Sequence, residues 1–336
     1  MRDALLAALA AFAVVLVTGP VLIPFLHRLK FGQVEREEGP SSHKVKQGTP
    51  TMGGLMILAG ILAGTVLFGM KGSSFTLPSL LAVFFFGLLG FLDDFIKVRL
   101  HRNLGLRAWQ KIVGQFAGAL CVALWAYRNP AIGSTLYLPV SGGAWDIGWV
   151  YVPLVMFVII AEVNAVNLTD GLDGLASGVT MIYSGSMLVV FLLLAAGSLF
   201  LGDGDAALAQ SAAGAFCGAV AGALLGFLRF NTYPARVFMG DTGSMALGGA
   251  VSMMAILSRS VLLLPLMGIC FVGSAVSVVL QVGSYKLRHG KRVFKMAPLH
   301  HHFELCGYPE TKIVSMYMIV TAAACTLALL SYAWVR

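Results

Sequence analysis

The stretch Leu-Leu-Ala-Val-Phe-Phe-Phe-Gly-Leu-Leu-Gly-Phe-Leu-Asp-Asp-Phe-Ile-Lys (residues 80–97) decides the class of fold. Leu80–Leu92 is apolar throughout, and Asp93 and Asp94 then close it. The pattern recurs. The apolar run Val152–Ala161 leads to Asn-Leu-Thr-Asp-Gly-Leu-Asp-Gly (167–174), which carries Asn167, Asp170 and Asp173. Asp241 stands in Phe-Met-Gly-Asp-Thr-Gly-Ser (238–244), immediately before another apolar run. Ionised groups at membrane depth are costly, so their repeated placement at the tips of hydrophobic spans points to function. Carboxylates gathered at one membrane face suit a divalent cation, and such a cation suits phosphate chemistry.

Composition agrees with a membrane protein. Of 336 residues, 58% are hydrophobic and 11% charged, whereas a soluble domain is about 25% charged. A spanning helix needs about 20 apolar residues. The chain reads as an all-α, polytopic single domain (1–336) of about ten transmembrane helices. The expected spans are 4–26, 52–70, 78–98, 110–127, 148–166, 174–198, 209–228, 243–258, 261–285 and 312–334. The first is read as a retained helix, because its Met-Arg-Asp leader has no net positive charge. The segment 128–148 reads as a small extracytoplasmic β-hairpin, with Tyr137, Trp145, Trp149 and Tyr151 as an interfacial belt.

Eighteen of the 23 lysines and arginines fall on one set of alternate loops. The other set holds Arg2, Lys71, Arg128, Arg259 and Arg336. The excess of positive charge marks the first side as cytoplasmic, with both termini extracytoplasmic and every acidic cluster on the inner face. The net charge of +8 therefore reports orientation and attraction to anionic lipid or substrate, not nucleic acid. The five cysteines lack CxxC spacing, so neither a zinc site nor a disulfide framework is indicated. Gly214, Gly218, Gly222 and Gly226 repeat every fourth residue. Such a stripe lets helices approach closely, either within the monomer or at a homodimer seam.

The candidate site residues have physical reasons. Asp93 and Asp94 are neighbours on a helix and point about 100° apart, so both cannot face one ligand squarely; Lys97 is within reach of either. Asn167, Asp170 and Asp173 form one polar stripe at a spacing of three. Asn231 and Phe238 share a short loop with Asp241, and an amide and a ring beside a carboxylate suit a nucleobase and a metal-bound phosphate. His300, His301 and His302 are consecutive and cannot converge on one ion; hydrogen bonding to phosphate or sugar suits them better. Lys46 and Thr51 precede one span and Lys111 begins another, as anion sites at helix N-termini do.

Five stretches carry a resemblance. They are His-Lys-Val-Lys-Gln-Gly-Thr-Pro-Thr-Met-Gly-Gly (43–54), Gly-Phe-Leu-Asp-Asp-Phe-Ile-Lys (90–97), Asn-Ala-Val-Asn-Leu-Thr-Asp-Gly-Leu-Asp-Gly-Leu-Ala (164–176), Asn-Thr-Tyr-Pro-Ala-Arg-Val-Phe-Met-Gly-Asp-Thr-Gly-Ser (231–244) and Ala-Pro-Leu-His-His-His-Phe-Glu (297–304). Together they resemble the polyprenyl-phosphate N-acetylhexosamine-1-phosphate transferases, and within them the phospho-N-acetylmuramoyl-pentapeptide-transferase (lipid I synthase) family of the bacterial plasma membrane. The resemblance implies a Mg²⁺-dependent enzyme. It would transfer phospho-N-acetylmuramoyl-pentapeptide from UDP-N-acetylmuramoyl-pentapeptide to undecaprenyl phosphate, releasing UMP. By motif position it implies Asp241 as metal ligand and Asp93 and Asp94 as its catalytic partners. Asp173, Asn231 and Phe238 would hold the uridine end. Lys46, Thr51, Lys111, Asn167, Asp170, His300 and His301 would line the polar pocket.

Overall fold

The computed structural model describes residues 1–28, 48–70, 73–99, 105–139 and 141–333. The expected Lys46 lies outside them. Among the described residues twelve α-helices are formed: α1 (Arg2–Arg28), α2 (Gly54–Gly69), α3 (Thr76–Arg99), α4 (Ala108–Arg128), α5 (Tyr151–Thr169), α6 (Leu175–Phe200), α7 (Gly204–Asn231), α8 (Gly240–Leu257), α9 (Leu264–Met267), α10 (Ile269–Leu287), α11 (Leu299–Leu305) and α12 (Glu310–Ala333). Nine of the ten expected spans each coincide with a single helix. Seven of the helices (α1, α3, α5 with the turn before it, α6, α7, α10 and α12) are long and apolar enough to cross a membrane. The apolar α2 is shorter, at 16 residues. Helix α8 is buried along its whole length from Thr242 to Leu257, so its glycines and serines meet protein and need no match to lipid.

Helix α8 is central. It packs against α3, α5 and α2, while α7 packs against α1, α2 and α6. The glycine stripe of α7 is consumed inside the monomer. A methyl group on Gly222 would lie 2.0 Å from the Ala8 carbonyl oxygen, and one on Gly218 2.4 Å from that of Ala4. Helix α1 therefore covers the stripe at Gly218, Gly222 and Gly226 while α6 meets it at Gly214, and the alternative of a homodimer seam there is set aside.

The expected ninth span, 261–285, needs correction. It breaks into a 3₁₀ turn (Val261–Leu263), the one-turn α9 and then α10. Pro265 stands in the first turn of α9, where its missing amide hydrogen costs no bond, and Gly268, at φ −95° and ψ 24°, steps off helical geometry between α9 and α10 while still donating to the Leu264 carbonyl at 2.7 Å. The hairpin forms as expected, with strands β1 (Thr135–Tyr137) and β2 (Ala144–Asp146) antiparallel. The interfacial belt is only half right. Trp145 and Trp149 are exposed, but Tyr151 is fully buried and the Tyr137 ring stacks on Tyr332 at 4.7 Å.

Candidate active site

Two helix ends converge. Asp93 and Asp94 occupy the last two turns of α3, and Asp241 stands in the first turn of α8. The approach of α3 to α8 depends on Gly90, where a methyl group would lie 2.0 Å from the Asp241 carbonyl oxygen. The chain entering α8 turns at Gly240 with φ +69°, a conformation that glycine adopts without penalty. That segment is laid against the one entering α2. The Phe238 amide donates to the Pro50 carbonyl at 2.8 Å, and the Gly53 amide returns to the Phe238 carbonyl at 2.8 Å. The same alignment brings Thr51 to the site: a methyl group on Gly240 would lie 2.7 Å from Thr51 Oγ1 and 2.6 Å from Asp94 Oδ2.

One carboxylate oxygen from each of Asp93, Asp94 and Asp241 lies within 4.8 Å of the other two. Two lysines bridge them. Lys97 Nζ is 2.6 Å from Asp93 Oδ2 and 3.0 Å from Asp241 Oδ2, and Lys111 Nζ is 3.0 Å and 2.7 Å from the same atoms. The three acids differ in what they can do. Asp94 Oδ2 accepts from the Thr242 amide at 2.9 Å and from Thr242 Oγ1 at 2.7 Å, while Oδ1 accepts from the Asp241 amide at 3.2 Å. It thus caps the N-terminus of α8 from another helix, where a negative charge is favoured. Asp93 is fully buried, and its Oδ1 accepts from the Leu106 amide at 2.7 Å. Asp241 keeps 17% of its side chain exposed and is the most open of the three. Its Oδ1 accepts from Asn167 Nδ2 at 2.9 Å, and that amide also reaches Ser244 Oγ at 2.8 Å.

The donor set fits a hard cation. Carboxylate oxygens are what such a cation prefers. With all groups ionised, three carboxylates and two ammonium groups leave one negative charge in the cluster. The neighbouring acid feels that charge: burial, and then the charges of Asp241, Asp94 and Asp173, push the Asp170 carboxyl well above the usual carboxylate range and favour its neutral form.

The remaining expected residues surround this cluster unevenly. Asp173 Oδ2 accepts from the Ala235 amide at 2.8 Å, which ties the α5–α6 turn to the α7–α8 loop. Asn231 is buried and occupied with protein: its Oδ1 accepts from Gly174 N and Ser177 Oγ, and its Nδ2 donates to the Val237 carbonyl. Its geometry is that of a loop brace. Phe238 is partly exposed. The three histidines lie on α11, a short helix between the expected ninth and tenth spans, and they diverge. His300 is buried and packs on Gly171, where a methyl group would lie 2.3 Å from Nε2. His301 Nδ1 is 2.7 Å from Glu304 Oε2. His302 turns away, with Nδ1 accepting from the Lys295 amide at 3.1 Å. Sequence reasoning gave Lys97 only to the Asp93–Asp94 pair, although its i+4 spacing was visible; the bridge to Asp241 was not. Thr242, Ser244 and Glu310, whose Oε1 accepts from the Asp173 amide at 2.6 Å, carried no signal.

Comparison with known proteins places this architecture. A glycosyl transferase family 4 model matches residues 76–259, and a phospho-N-acetylmuramoyl-pentapeptide-transferase signature matches residues 46–58. The chain is 48% identical over 324 residues to the phospho-N-acetylmuramoyl-pentapeptide-transferase of Clostridioides difficile (strain 630), covering 96% of both chains. It is 46% identical to that of Clostridium novyi (strain NT), covering 96% of this chain and 95% of the relative. The chain belongs to the phospho-N-acetylmuramoyl-pentapeptide-transferase family. It is thus an integral membrane protein of the phosphotransferase type. The signature of the family covers the Thr51 segment, and the glycosyl transferase match spans both helices that carry the acidic cluster.

Proposed function

We propose that this chain transfers phospho-N-acetylmuramoyl-pentapeptide from UDP-N-acetylmuramoyl-pentapeptide to undecaprenyl phosphate, giving lipid I and UMP, as one catalytic domain over residues 1–336. Two things support the reading: the names of relatives matched over nearly their full length, and the cluster of Asp93, Asp94 and Asp241 bridged by Lys97 and Lys111. The cluster is the observation that carries the chemistry. The site faces the cytoplasm in this reading, with both termini outside, because the donor is soluble and the basic loops share its side.

The reaction brings together two phosphate-bearing molecules that repel each other. Lys97 and Lys111 are placed to offset that repulsion and to hold the reacting groups in line. Asp241, the most open of the three acids, would hold Mg²⁺, which supplies charge neutralisation at the diphosphate. Asp94 acts through Thr242 and Asp241 as a positioning residue. An oxygen of the lipid phosphate attacks the β-phosphorus; the new P–O bond forms as the bond to UMP breaks, and UMP leaves with the electron pair. A phosphate monoester, with its second pKa near about 6, is mostly dianionic at neutral pH and needs little help from a base. Burial of Asp93, with Oδ1 held by an amide and Oδ2 by two lysines, favours this direct route over a covalent phospho-aspartate. Asp173 and Phe238 are assigned to the uridine end, with Asn231 bracing the loop that presents them, and His300 and His301 to the sugar-phosphate side.

The test is UMP release by the purified full chain. Wild type should release UMP from UDP-N-acetylmuramoyl-pentapeptide only with both undecaprenyl phosphate and Mg²⁺, and should lose activity in chelator. Asp241→Ala and Asp93→Asn should be nearly inactive. Turnover of UDP-N-acetylglucosamine instead would reassign the donor. A phospho-sugar adduct trapped on Asp93 without acceptor would replace direct attack by the two-step route.

A further inference from the structure

The C-terminal end of α10 carries a charged feature that the chemistry above does not use. Tyr-Lys-Leu-Arg-His-Gly-Lys-Arg-Val (285–293) is exposed at every position. It places Lys286, Arg288, Lys291 and Arg292 within seven residues, and no acid occurs between Asp241 and Glu304. None of the ion pairs among the described residues uses these four cations. Uncompensated positive charge of this density needs an anionic partner or open water.

Water alone does not account for the side chains between the cations. Leu287 is 83% exposed, and Tyr285 and Val293 are also exposed. Leu287 continues the outward stripe of α10 formed by Val276 and Leu280, at helical spacings of four and seven. The apolar wall that faces acyl chains therefore runs directly into the basic turn, so the turn sits at headgroup depth. It is also built rather than loose. Gln281 accepts from the Val293 and Phe294 amides at 3.0 and 2.9 Å, and its own amide donates to the Phe294 carbonyl at 2.9 Å. Ser284 Oγ donates to the Lys291 carbonyl at 2.9 Å. His289 and Gly290, with φ of +50° and +88°, fold the segment back so that Lys291 and Arg292 return beside Lys286 and Arg288. The turn leads into α11, whose His300 packs on Gly171, which puts it at the same end of the molecule as the carboxylate cluster.

We propose that the turn 285–293 is a binding site for the phosphate headgroups of anionic phospholipids, with Leu287 and Val293 seated among the acyl chains and Lys286, Arg288, Lys291 and Arg292 on the phosphates. Basic residues at a membrane surface are attracted to anionic lipid cumulatively, and the attraction weakens with salt. A protein partner would need complementary acids and an apolar pocket deep inside the headgroup layer, so lipid is the occupant the geometry favours.

The full chain in a nonionic detergent is titrated with phosphatidylglycerol, phosphatidylcholine or inorganic phosphate, and its thermal unfolding followed. Phosphatidylglycerol should raise the midpoint in a salt-sensitive way, and the other two should not. The quadruple variant K286Q/R288Q/K291Q/R292Q should need roughly tenfold or more phosphatidylglycerol for the same effect. The double variant K291Q/R292Q, less disruptive to folding, should show a smaller weakening in the same direction. R128Q, which removes an arginine at the opposite end of the bundle, should respond as wild type. An unchanged response in both turn variants, or an equal response to phosphatidylcholine or to inorganic phosphate, would overturn the proposal.

Discussion

Replacing Thr242 by valine isolates the role given to Asp94. Valine matches threonine in shape but removes the Oγ1 donor that reaches Asp94 Oδ2 at 2.7 Å. Thr242 is fully buried and Asp94 is 3% exposed, so water cannot replace the lost donor. A hydrogen bond to a charged group contributes about 1.5–3 kcal/mol, and a buried acceptor left short of partners bears that cost in full. Asp94 Oδ2 still accepts from the Thr242 amide at 2.9 Å, so the lower part of the range applies, roughly 1.5 kcal/mol. If that energy holds the Asp241 backbone in register with the two lysines, its loss falls on alignment and not on substrate uptake. Each 1.36 kcal/mol is about tenfold in rate, so kcat for UMP release should fall about tenfold with KM for the donor little changed. Thr242→Ser keeps the hydroxyl and should recover most of the rate. In combination with Asp94→Asn the losses should be far from additive, because both changes break one interaction. A Thr242→Val enzyme with wild-type kcat, or strictly additive losses with Asp94→Asn, would refute the positioning role.

Two further outcomes follow from other parts of the molecule. Gly222→Ala should lower the thermal midpoint by an amount equivalent to roughly 1–3 kcal/mol of overpacking, since its methyl group would meet the Ala8 carbonyl at 2.0 Å, whereas Gly214→Ala, 3.6 Å from Leu188 and Phe191, should be tolerated; equal effects would contradict the α1–α7 packing. In the hairpin, hydrogen bonds from Ser134 Oγ and the Gly148 amide hold the Asp146 carboxyl below its usual range. A depressed carboxyl contributes stability that is present above its unfolded value and lost as pH falls through the lower folded one, so hydrogen-exchange protection of the Ser134–Gly148 segment should weaken at acid pH, and Asp146→Asn should remove that dependence.

Much of the architecture was legible because membranes impose simple rules. Apolar length set the helices, and charge bias gave the expected sidedness. The break at Gly268 escaped because the segment 261–285 is uncharged and mostly apolar, and hydropathy cannot tell a continuous helix from one that steps at Gly268. The acidic residues were legible as a set, since carboxylates at span ends are rare. Their division of labour was not. Asp93 and Asp94 look equivalent in sequence, yet one is held by two lysines and the other caps a helix that begins some 147 residues later. Likewise, nothing in three consecutive histidines foretold a helix that packs His300 on Gly171 and turns His302 toward Lys295.

The bridge from Lys97 and Lys111 to Asp241 spans 144 and 130 residues of chain. At a synthesis rate of about 5–20 residues per second, the two lysines wait on the order of ten seconds for that partner. Glu310, which meets the Asp173 amide, arrives later still, 137 residues after its own partner. A nascent chain halted before α8 thus leaves Lys97 and Lys111 without Asp241 and Asp94 without the helix it caps, and one halted before α12 leaves the Asp173 turn without its clasp. Catalytic competence arrives with the closing helices of synthesis, so a truncated product is an inert passenger in the bilayer.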